Sequence, residues 1–217
     1  MVNLNIDNTF NNMTDPTALK IVSLLPSATE IIDCLGLTYA LVGRSHECDY
    51  PSSIQDLPVC TDARLNSNNP SLQIDKDVQT LLQQALSIYQ IKIDVLEKLQ
   101  PTHIVTQDQC DVCAVNVSVV EQAIAQLTKS TPQVISLQPN LLPEVWDDIR
   151  RVAETLGVES EPVLHQLQAR IDKIVNKVKT LSEASLPKVV ALEWTEPLMG
   201  GGNWIPELIE IAGGKPL

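Results

Sequence analysis

Lys20-Ile21-Val22-Ser23-Leu24-Leu25-Pro26-Ser27-Ala28-Thr29-Glu30-Ile31-Ile32-Asp33-Cys34-Leu35-Gly36 decides the fold. It opens on a short apolar run, the signature of a buried strand. Pro26 stops that strand. Ser27 then reads as a helix N-cap, and Glu30 three residues on completes a capping box. Gly36 reads as the left-handed cap that ends the helix. One strand–loop–helix unit therefore fills residues 20–36, and residues 40–45 open the next.

The same alternation continues downstream. Residues 49–70 hold Pro51, Pro58, Pro70 and the run Asn66-Ser67-Asn68-Asn69, which predicts loop with one short strand at Val59. Val78, Leu81, Leu82, Ala85 and Leu86 recur at helical spacing and predict a helix over 75–87. A short helix over 94–99 stops at Gln100-Pro101. Strand Ile104-Val105, a helix over 117–127 and a strand over 134–137 follow. Strands alternating with helices predict an α/β class with a parallel sheet. After Pro143 the character changes: a helix to Gly157, then one long helix over 162–181, about 30 Å at 1.5 Å per residue. A strand over 189–192 and a helix over 206–212 close the chain. The expected organisation is a disordered leader over 1–17, an α/β lobe over 18–142, a connecting helical segment over 143–187, and the incomplete start of a second α/β lobe over 188–217.

The formal net charge of −12 disfavours nucleic acid and anionic lipid, both of which are bound mainly through Lys and Arg. No apolar run approaches the roughly 20 residues that span a bilayer, so no membrane insertion is expected. Residues 1–20 lack the basic start and apolar core of a secretory signal. With five cysteines, an odd number, that points to a reducing cytoplasm.

Two ligand-bearing stretches each follow a predicted strand: His46-Glu47-Cys48 after the strand ending near Gly43, and Cys110-Asp111-Val112-Cys113 after Ile104-Val105. In an open parallel sheet, loops after the carboxyl ends of strands line the ligand crevice. His46, Cys48, Cys110 and Cys113 are thus candidate ligands for Zn or Fe, since such ions take three or four S and N donors. Two other readings weigh against this: buried structural thiols, which pack as small hydrophobes, and a redox dithiol at Cys110 and Cys113. Cys34 reads as a core thiol. Ser27, Ala28 and Thr29 open a helix whose free N–H groups suit an anionic ligand group. Trp194 and Trp204 flank Gly200-Gly201-Gly202 and form a candidate stacking wall.

Ser23-Leu24-Leu25-Pro26-Ser27-Ala28-Thr29-Glu30, then Gly43…Asp49-Tyr50-Pro51, then Leu99-Gln100-Pro101-Thr102-His103-Ile104-Val105, and finally Glu207-Leu208…Ala212-Gly213-Gly214 resemble the Fe/B12-type (class III) periplasmic substrate-binding proteins, cobalamin-binding members above all. The resemblance runs from residue 20 to 217. It implies two α/β lobes joined by one long helix, with cobalamin or another metal complex held between them and delivered to an ABC-type transporter. It places Tyr50, Glu47, Asp62 and Gln107 at the ligand-facing loops, where the last three replace aromatic residues. It implies permease docking through Asp94 and the Glu207 region, with Asn203 standing where the second lobe's carboxylate is expected.

Non-catalytic binding is therefore the leading expectation, either for an ABC-type uptake system or as an intracellular carrier. A zinc-dependent enzyme is the alternative: the zinc-deaminase pattern H-x-E with P-C-x-x-C is approached but not met, because Glu47 adjoins His46 and Gln109 precedes Cys110. A free-standing interaction module is the third.

Overall fold

The computed structural model describes residues 19–84, 86–108, 115–182 and 186–217. The chain begins with β1 (Ile21–Ser23), α1 (Pro26–Cys34) and β2 (Leu41–Arg44), followed by β3 (Thr61–Ala63), α2 (Ser71–Gln83) and β4 (Tyr89–Ile91). Next come α3 (Ile93–Leu99), β5 (His103–Gln107), α4 (Val117–Ile124) and β6 (Gln133–Leu137). Two helices, α5 (Leu142–Leu156) and α6 (Glu161–Val178), lead to β7 (Lys188–Val189), β8 (Leu192–Thr195), β9 (Leu198–Gly200), α7 (Ile205–Ile211) and β10 (Lys215–Pro216).

The central sheet is parallel, in the order β2-β1-β5-β6. Its strands alternate two destinations. Ile21 and Val105 enter one apolar cluster with Ala28, Ile32, Ile135, Val152 and Leu156, while Val22 and Ile104 enter another with Leu96, Val115 and Val120. Helices cover both faces, as a parallel sheet requires. The α/β expectation is met.

Local starts and stops differ from the sequence reading. α1 begins at Pro26, whose fixed φ suits the first helical position and whose missing N–H costs nothing there. The N-cap is therefore Leu25, which makes no side-chain cap bond, and Ser27 sits inside the first turn instead of capping it. Gly36 and Gly157 do take left-handed conformations, at φ 75° and 74°. Residues 49–70 contain more order than expected. Val59 bridges Arg44, and β3 pairs antiparallel with β4. Strand 189–192 divides in two: β7 pairs with β10, and β8 forms a hairpin with β9.

The terminal segment touches the first part through named polar contacts. Glu207 Oε2 accepts from the Leu142 N–H at 2.6 Å, and Thr195 Oγ1 lies 3.2 Å from Ser71 Oγ. The first contact puts a carboxylate on the N-terminus of α5, where free N–H groups favour negative charge.

Candidate functional site

The loop after β2 is where the chemistry gathers. Gly43, in β2, is packed so closely by the residue before β3 and the end of α3 that a Cβ would stand 2.6 Å from Cys60 Sγ and 2.8 Å from Leu99 Cδ1. Arg44 follows, and its guanidinium shapes the loop from inside. Nη1 donates to the carbonyls of Ser45 (3.1 Å) and Cys48 (3.0 Å), and Nη2 to that of Gln55 (2.9 Å).

Thr61 of β3, fully buried, ties this loop to the neighbouring strand. Its hydroxyl donates to Ser45 Oγ at 3.0 Å, accepts from the His46 N–H at 3.1 Å and lies 2.8 Å from His46 Nδ1. The imidazole is thereby fixed with Nε2 outward, 3.7 Å from Glu47 Oε1. Tyr89 of β4 completes the group: its hydroxyl donates to Glu47 Oε1 at 3.2 Å, and its ring stands 5.5 Å from the imidazole at a 46° tilt. His46 and Glu47 side chains remain 26% and 43% exposed, so both can reach a ligand. Beside them Asp62 pairs with Lys92 at 2.9 Å. Tyr50 is exposed.

Other candidates separate from this group. Cys48 faces inward: it is buried in the core, and Thr29 Oγ1 lies 3.1 Å from its sulfur. Burial pushes its thiol pKa up, against smaller lowering from Thr29, so it stays protonated. It packs in the core with Ala28, Ile32 and Ile54 as its cluster neighbours. Cys110 and Cys113 lie outside the described residues. Among the described residues, no group of three or more His, Cys, Asp or Glu side chains could hold a metal ion. Cys60 is also buried, and desolvation drives it to about 12. Cys34, expected in the core, is exposed.

Of the three candidates at the start of α1, Ser27 reaches solvent, whereas Ala28 and Thr29 are fully buried. Gln107 is buried within β5, bridged to Asn116. Trp194 and Trp204 are both half-buried. Trp194 Nε1 donates to the Glu196 carbonyl at 3.0 Å, across the turn of the β8–β9 hairpin, and Trp204 precedes α7. Asp94, exposed on α3, faces Lys98 at 3.5 Å. Tyr89 is the residue that sequence reasoning missed.

The His46–Glu47–Tyr89 cluster thus lies just beyond the carboxyl end of β2, the side of a parallel α/β sheet on which ligand crevices form. The chain belongs to the periplasmic binding protein family, whose model matches residues 21–217. No curated protein matches it in sequence. Its fold is similar to a possible iron-binding (periplasmic solute-binding) protein from Staphylococcus epidermidis (17% identity, TM-score 0.65) and the periplasmic heme-binding protein RhuT from Roseiflexus sp. RS-1 (22%, 0.65). It is also similar to the periplasmic vitamin B12 binding protein BtuF of Vibrio cholerae (17%, 0.60). Each alignment covers 91% of this chain but only 66%, 65% and 65% of the respective relative. At these identities the likeness establishes fold.

The family accords with the non-catalytic expectation. It overturns the cytoplasmic address read from residues 1–20, because the family is one of periplasmic binding proteins. A leader's composition is a weak guide to address beside a match over 21–217. Among the described residues, no helix is long and apolar enough to cross a membrane.

Proposed function

We propose that the chain captures a metal-containing or corrinoid small molecule at the carboxyl end of its parallel sheet and serves as the substrate-binding component of an ABC-type uptake system. The observation that carries this reading is the His46–Glu47–Tyr89 cluster, fixed from below by Thr61 and open to solvent above. A neutral imidazole is a common metal donor, and Nε2 is the nitrogen left outward when Nδ1 engages Thr61. The neighbours' named ligands, iron, heme and vitamin B12, are all metal or metal-complex species.

In this reading residues 18–142 form the first lobe, 143–187 connect, and 188–217 begin the second. Ser27, His46, Glu47, Tyr50 and Asp62 line the first lobe's side, and Trp194 and Trp204 offer apolar surface opposite. Asp94 and Glu207 are the docking carboxylates for the permease. Glu207 already holds the N-terminus of α5, so docking through it competes with that contact.

The test is titration with cyanocobalamin, hemin and ferric citrate, followed by visible absorbance and tryptophan quenching, on the wild type, His46→Ala and Tyr89→Phe. Saturable uptake of one compound, weakened at least tenfold by His46→Ala, supports the reading. Uptake of none, or uptake indifferent to His46, rejects it.

A further inference from the structure

A half-open cavity of about 550 Å³ lies between the end of α2, the β3–β4 pair and the start of α4. Small-molecule sites run from about 300 to 1,000 Å³. None of His46, Glu47 and Tyr89 lines it. Its lining has two characters. Leu82 and Leu86, at the end of α2, and Val119, on α4, are apolar; Arg64 and Gln122 are polar.

The apolar part does little for the core. No residue of α2 is buried, and Leu82 and Leu86 stand 44% and 41% exposed. The polar part is unspent. Arg64 is fixed at its backbone, where the N–H donates to the Ile88 carbonyl at 2.8 Å and extends the β3–β4 ladder by one step. Its guanidinium is another matter. Those of Arg44, Arg150 and Arg151 are all engaged by carbonyls or carboxylates. That of Arg64 makes no hydrogen bond and no ion pair among the described residues, and neither does the amide end of Gln122. Asp and Glu outnumber Lys and Arg by 27 to 15 in this chain, yet no described carboxylate pairs with Arg64.

We propose that this cavity is a second binding site, separate from the His46–Glu47–Tyr89 cluster, and that it takes an amphipathic carboxylate of medium chain length. The occupant follows from what the walls leave unmatched. A guanidinium presents a planar fork that meets both oxygens of a carboxylate, and Gln122 offers a further donor. An aliphatic body laid on Leu82, Leu86 and Val119 removes apolar surface from water on both partners. A cationic head on the same body would face Arg64 with like charge. A bare anion would leave the leucines exposed.

Backbone-amide NMR titration tests this with three probes: decanoate, decylammonium, which has the same body and the opposite charge, and acetate, which has the head alone. Decanoate should shift the amides of Arg64, Ser87, Ser118 and Gln122 saturably, with acetate and decylammonium at least about tenfold weaker at those amides. Arg64→Gln removes a charge-assisted pair and should weaken decanoate about tenfold. Leu86→Glu, which sets a carboxylate on the apolar wall, should do the same. Both positions are exposed, and circular dichroism verifies that the variants fold. The proposal is overturned by decanoate shifts that do not saturate, or that centre on the exposed apolar residues Leu198 and Met199 instead. Equal binding of decylammonium at the cavity, or decanoate binding indifferent to Arg64→Gln, overturns it as well.

Discussion

Replacing Thr61 by valine keeps the side chain's shape and deletes one oxygen, so it measures what that oxygen does. Thr61 is fully buried, and its hydroxyl serves three partners: Ser45 Oγ, the His46 N–H and His46 Nδ1. In valine's place, the His46 N–H and Nδ1 lose the partner they share. Ser45 Oγ keeps only the 3.3 Å contact from the Glu47 N–H. A buried polar group left unpaired costs about 1–3 kcal/mol, and partial compensation at Ser45 and at the half-exposed imidazole brings the total to about 2–4 kcal/mol. With a urea m-value of about 2 kcal/mol/M, the unfolding midpoint should fall by about 1–2 M. Thr61→Ser is the control. It keeps the hydroxyl and loses one methyl, worth about 1 kcal/mol. Equilibrium urea unfolding followed by circular dichroism should rank wild type above Thr61→Ser, and Thr61→Ser above Thr61→Val. If valine is tolerated as well as threonine, or better than serine, the hydroxyl is not the hub of this loop.

Three further outcomes are expected. Gly43→Ala should cost about 1–3 kcal/mol through overpacking against Cys60 Sγ and Leu99 Cδ1; adding Cys60→Ala should recover part of that loss in the same urea assay, and strict additivity would contradict the contact. Iodoacetamide followed by peptide mapping should label Cys34 at least about tenfold faster than Cys48 or Cys60: desolvation raises all three thiols, Cys60 to about 12, but of these three only Cys34 is exposed to the reagent. His103, buried at the start of β5, has its pKa lowered by burial. The unfolded chain therefore takes the proton first. The stabilisation is full above the unfolded value near about 6.5 and is lost as pH falls through it and through the folded value. His103→Gln should flatten that acid limb, and an unchanged slope would show that other groups set it.

What the sequence made legible depended on pattern length. β1 and the two helices α1 and α5, which end at Gly36 and Gly157, follow from apolar periodicity and glycine caps, and they stand close to where they were expected. The pair β3 and β4 escaped. Thr61-Asp62-Ala63 has no apolar alternation, and its partner lies 26 or more residues away, beyond any local signal. Tyr89 escaped with it. The weak cue was the apolar pattern of Ile88-Tyr89-Gln90-Ile91, a run too short to stand out between the helices expected over 75–87 and 94–99. His46 and Glu47 were found because they follow a strand in an α/β alternation. Cys48 was grouped with them on spacing alone, and spacing in an irregular loop does not fix direction. Arg44 turns the chain between them, leaving the imidazole outward and the thiol in the core.

That turn has a consequence for where the site can be spoiled. The loop bearing His46 and Glu47 is shaped around one guanidinium that donates to three backbone carbonyls, those of Ser45, Cys48 and Gln55. A lysine ammonium is a point charge on a flexible stem and does not reproduce that planar fork. One side chain at the end of β2 thus sets the path of the whole loop, and the His46–Glu47 pair inherits its position from a neighbour on its inner side.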